Sequence, residues 1–157
     1  MKYSMIFISL IFFILIGCNA PIDQSDFYLP TQKTIESDQM EYTLTINKSI
    51  FSRMDILEIS FKVLNKSSNQ KVFDFKNQQQ LGIRLKNFFG RSVISYPGAT
   101  SPAISSFSLL PGESEKLFSE CSFTDYKGEY ITGGRFCLTV NLLDQNSPEL
   151  SLIIIVK

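Results

Sequence analysis

The chain has 157 residues, 15 basic and 15 acidic side chains, and no histidine. Balanced charge without a basic cluster leaves no electrostatic footprint for nucleic acid, so no nucleic-acid partner is expected. The missing histidine excludes His-based acid–base catalysis, Ser-His and Cys-His nucleophile pairs, and every His-ligated metal site. No spacing of carboxylates or lysines supports other catalysis. The sequence therefore predicts a non-enzyme with no catalytic residue, no cofactor and no metal.

Lys2 is the only charge before residue 18, and Tyr3 to Ile16 run without charge or proline. A spanning helix needs about 20 apolar residues, so this run is short for a permanent span. A basic start, a short apolar core and a small residue match a signal peptide. Leu15-Ile16-Gly17-Cys18 resembles the lipobox of bacterial lipoproteins. The resemblance implies cleavage before Cys18, a diacylglycerol on its thiol, and further acylation of the new amino terminus. Two chains anchor stably where one does not. The membrane is then a partner through the lipid on Cys18. Asn19, where the family uses Asp for inner-membrane retention, implies the outer membrane of the cell envelope over the inner one. The plain alternative is an uncut signal anchor carrying an ordinary cysteine.

Residues 18–39 carry prolines and polar side chains without period and are predicted to form the lipidated tether. From Met40 the pattern changes to period two. Tyr42, Leu44 and Ile46 share a face, as do Leu57, Ile59, Phe61 and Val63, with Glu58, Ser60 and Lys62 opposite. Phe73 and Phe75 repeat the alternation, then Ile83 and Leu85, with Arg84 and Lys86 outward. Gly90 suits a tight turn before a short strand at RSVISY. SEKLF follows the turn Pro111-Gly112. Phe136, Leu138, Val140 and Leu142 share the next face, and Leu150, Leu152, Ile154 and Val156 the last. The spacing predicts roughly seven to nine strands and no helix over residues 40–157, which is an all-β antiparallel sandwich.

The order of features in the second half is SLLPGESEKLFSEC, SFTDYKGEYITGGRF and CLTVNLL. It resembles the BsuPI family, named after an intracellular proteinase inhibitor of a bacillus. Asn65 with Ser67 fits that family's first turn, and Pro111-Gly112-Glu113 its second. Cys121 stands where the family has tryptophan, with Asp125 and Gly128 following at fitting distances. Gly134 and Phe136 take the places of a glycine and a tyrosine, and Gly133 replaces a proline. The resemblance implies an immunoglobulin-like fold. Phe136 brings no hydroxyl for a tyrosine corner.

Cys121 and Cys137 either close a disulfide, worth about 3 kcal/mol for such a loop, or remain separate thiols. The spacing leaves both open. The loop from Tyr96 to Ser106 contains Tyr96, Pro97, Gly98 and Pro102. It is a candidate partner-binding loop or simply a connection between strands. Ile153 and Ile155 should face outward on the last strand. Together these features predict a non-catalytic envelope lipoprotein presenting an immunoglobulin-like protein-binding module to an envelope protein or protease. The alternative is a proteinase inhibitor of the BsuPI type.

Overall fold

A computed structural model of the protein describes residues 29–98, 103–144 and 146–157. The signal peptide, Cys18, most of the tether and Pro102 lie outside these residues. Among the described residues there are eleven strands: β1 (Thr31–Ser37), β2 (Met40–Ile46), β3 (Ile50–Phe51), β4 (Ile56–Asn65), β5 (Lys71–Phe75), β6 (Leu81–Asn87), β7 (Ser92–Tyr96), β8 (Ser105–Leu109), β9 (Ser114–Ser122), β10 (Gly134–Leu142) and β11 (Leu150–Val156). No helix long and apolar enough to cross a membrane occurs among them.

The strands form an all-β sandwich. One sheet has the order β1-β2-β4-β9, the second β3-β11-β10-β6-β7, and β5 pairs with β8 as a short ribbon. Every pairing is antiparallel except β3 with β11. The period-two faces come together as predicted. In the first sheet Leu44 lies opposite Phe61 and Phe61 opposite Leu117. In the second, Leu138 lies between Leu85 and Leu152. Leu44, Phe61, Val63, Leu138, Val140 and Ile154 are fully buried between the sheets. Phe51 and Phe123 close one part of this core with ring centroids 5.0 Å apart. Phe73 and Phe75 extend it under the ribbon, both stacked on Phe107.

Two expectations need correction. The tether was predicted to run to residue 39, yet Thr31–Ser37 is a strand. Its side chains are polar except Ile35, because it is an edge strand that buries little. Its register is set by a two-residue turn in which Asp38 and Gln39 both have positive φ, 50° and 62°, the twist that suits a tight hairpin. Thr34 and Thr43 join their hydroxyls across the pair at 3.0 Å. The second correction is the strand number. β1, β3 and β8 exceed the predicted set, and β8 takes the end of the segment read as a loop from Tyr96 to Ser106.

Candidate protein-binding groove

The end of β4 and the turn before β9 are tied together. Gly112 N donates to Asn65 O at 2.8 Å, and Asn65 N donates to Glu113 O at 2.9 Å. Gly112 has φ +79° and Glu113 N donates to Leu110 O at 3.0 Å, so Leu110 to Glu113 form a type II turn with Pro at its second position. The buried Asn65 side chain donates to Asn69 O at 2.7 Å and Leu109 O at 3.0 Å. It accepts from Ser67 N at 2.9 Å and Ser67 Oγ at 2.7 Å. This anchors the start of β9.

At its other end β9 faces β7 across a gap between the two sheets. A groove of about 600 Å³ opens there, lined by Ser92 to Tyr96, Gly98, Glu120 to Ser122, and the hairpin from Thr124. Its rim is aromatic: Tyr96 is 42 % exposed and Tyr126 is 92 % exposed. Tyr96 also borders a smaller hollow of about 280 Å³ with Gln78 to Gln80, Leu117 and Phe118. There the buried Gln79 Oε1 has no hydrogen-bond partner among the described residues.

Of the groove's polar groups, Asp125 has a structural duty. Asp125 Oδ1 accepts from Lys127 N at 2.8 Å and Glu129 N at 3.1 Å, while Gly128, at φ +82°, completes the turn. Cys121 lies half-buried beside Leu57, and burial pushes its thiol pKa up. A thiol held protonated is a poor nucleophile. Among the described residues no group of three His, Cys, Asp or Glu could hold a metal ion.

Of the residues predicted for the contact loop, Tyr96 and Gly98 line the groove. Pro97, joined to Tyr96 by a cis peptide bond, lines the adjacent hollow with Arg84 and Asn141. Cys121 and Cys137 are not brought together: both are free. Cys121 belongs to the inner face of the first sheet, packed against the core. Cys137 alternates with buried Phe136 and Leu138 and stands between Lys86 and Ile153 on the outer face of the second. Of the two alternatives that the spacing left open, the structure has the separate thiols. Ile153 is exposed at 46 % as expected, whereas Ile155 is only partly so. Sequence reading missed Tyr126 and Glu120, because a groove between two sheet edges has no sequence period.

No family model matches the chain. No curated protein matches it either. Similar solved structures include a β-glucosidase from Listeria innocua in complex with gluconolactone, 15 % identical at a TM-score of 0.43 over 82 % of this chain and 16 % of that one. The alkylpurine DNA glycosylase AlkC of Pseudomonas fluorescens is 12 % identical at a TM-score of 0.49, over 76 % of this chain and 30 % of that one. β-Glucosidase 3B of Thermotoga neapolitana is 17 % identical at a TM-score of 0.42, over 80 % and 16 % of the two chains. This chain thus spans less than a third of each. Likenesses this distant carry no argument about activity.

Proposed function

We infer that this protein is a non-catalytic lipoprotein of the cell envelope whose immunoglobulin-like sandwich binds another protein through the groove between β7 and β9. The observation that carries this is the exposed tyrosine rim, Tyr96 and Tyr126, around a recess of about 600 Å³. Tyrosine supplies large contact area with a polar tip and is enriched at protein interfaces. The anchor rests on Leu15-Ile16-Gly17-Cys18. The tie between Asn65 and the Pro111-Gly112-Glu113 turn gives the BsuPI-like positions a common structural purpose.

Two measurements test this reading. The intact mass from native membranes should show loss of residues 1–17 and added acyl chains, both absent in Cys18→Ala. An unmodified full-length mass rejects the anchor. A photo-crosslinker placed at Tyr126 should capture an envelope protein that one placed at exposed Val72 does not. Equal capture at both positions rejects the groove. One-to-one slowing of a serine protease, lost when residues 96–106 are replaced by Gly-Ser, would move the assignment to a BsuPI-type inhibitor.

A further inference from the structure

We propose that two copies of this chain pair edge to edge through β9, antiparallel, about a two-fold axis at Phe118. Among the described residues β9 is hydrogen-bonded on one side only, to β4. Its free side is a row of backbone donors and acceptors, the template on which another strand adds. At nine residues it is the longest edge strand of the two sheets. The hollow beside Gln78 to Gln80 keeps the inner side of Leu117 and Ser119 open.

The outer face of β9 reads Ser114, Lys116, Phe118, Glu120, Ser122. This series is complementary to its own reverse. In an antiparallel pair centred on Phe118, that ring meets the partner's Phe118. Lys116 meets the partner's Glu120, Glu120 meets the partner's Lys116, and each end pairs two serines. An isologous two-fold interface requires such self-complementarity. The other long edge, β1, offers none: a reversal about Thr34 sets Gln32 against Glu36 and leaves no opposite charges facing. β7 is only five residues long and joins its neighbour through an irregular register at Leu85 and Lys86.

A second observation says why this edge wants an occupant. Within one chain, Lys62 of β4 lies directly opposite Lys116, and Glu58 directly opposite Glu120. Like charges facing each other across a ladder are destabilising. Among the described residues none of these four side chains enters an ion pair. Ser60 opposite Phe118 gives that ring little cover, and Phe118 is 71 % exposed, with only Lys116 Nζ above it at 4.7 Å from the centroid. The antiparallel partner relieves all three features together. The row across the joined sheets becomes Lys62, Lys116, the partner's Glu120 and the partner's Glu58. Two such rows flank a ring pair at the axis, and the four-stranded sheets merge into one of eight strands.

Sedimentation equilibrium of the full-length protein in detergent tests this with three variants. The wild type should be a dimer. K116E and E120K should each fall to monomer, with association weakened about tenfold or more, because each puts two like-charge pairs across the axis. K116E/E120K should return to dimer, its pairs restored with the signs exchanged. The single reversals should still unfold cooperatively with the wild-type far-UV spectrum, since each also replaces a like-charge pair with β4 by an opposite one. Any fall in midpoint should vanish as protein concentration is lowered to where the wild type is also monomeric. Loss of folding therefore cannot mimic loss of pairing. A monomeric wild type, dimeric single variants, or a double variant that stays monomeric would each overturn the proposal. Glu120 borders the groove and Lys116 does not, so capture by the crosslinker at Tyr126 is measured in monomeric K116E. The groove reading stands or falls on that capture, and the pairing on the sedimentation.

Discussion

Gly112 N donates to Asn65 O at 2.8 Å, so the last residue of β4 and the turn before β9 hold each other in place. The Asn65 side chain satisfies two carbonyls and the amide of Ser67 in a site with no exposure. Asn65→Ala leaves these groups unpaired and should cost about 2–4 kcal/mol in urea unfolding. Gly112→Ala should cost about 1 kcal/mol, from its left-handed backbone alone.

Phe61 is fully buried between Leu44 and Leu117. Phe61→Ala should cost about 3–5 kcal/mol, the transfer term plus the cavity it leaves. Val72 is 61 % exposed on the ribbon, and Val72→Thr should stay within about 0.5 kcal/mol of wild type. The two variants measured in the same denaturation series test the inward–outward assignment.

The separation of Cys121 and Cys137 makes stability independent of reductant. Thermal midpoints with and without dithiothreitol should coincide, whereas a bridge closing this loop would be worth about 3 kcal/mol. Alkylation of native protein should proceed more slowly at Cys121 than for a free thiol, because burial holds its proton on.

Tyr42 is 4 % exposed. Burial first, then the negative charges of Asp144 and Asp38, push its pKa from 10.0 to about 12. The unfolded chain releases this proton at lower pH than the folded one. The contribution to stability is therefore complete below pH 10 and declines as pH rises towards 12, by on the order of 2 kcal/mol. Tyr42→Phe should show a shallower alkaline fall in urea midpoint than wild type. Parallel curves would contradict the assignment.

The period-two runs were legible because burial imposes them. Leu57, Ile59, Phe61 and Val63 alternate since one face of β4 is core and the other is not. β1 was not legible, since an edge strand can be polar on both faces and its turn, Asp38-Gln39, lacks the glycine that usually marks a hairpin. β3 is two residues long, too short for any period. In β8 the core side carries Phe107 and Leu109 with a serine, Ser105, and the neighbouring Pro and Gly outweighed them. The contact loop was recognised at Tyr96, but its facing wall at Glu120 to Tyr126 arrives through tertiary packing. The sequence holds no signal that puts Cys121 and Cys137 on different sheets.

The single parallel ladder has a consequence for the order of assembly. Among the described residues Ile50 and Phe51 find their strand partners only in Ile155 and Val156, and Lys33 Nζ reaches Ser151 O at 3.2 Å. Residues made early thus wait for residues made about a hundred positions later. Until β11 emerges, β3 and β10 each present an open edge, and Phe51 lacks its strand neighbour. A chain crossing a membrane amino terminus first would carry those edges unpaired through most of its passage. The hairpin of β1 and β2 and its pairing with β4 need no such wait. Closure of the sandwich is therefore timed by its last strand.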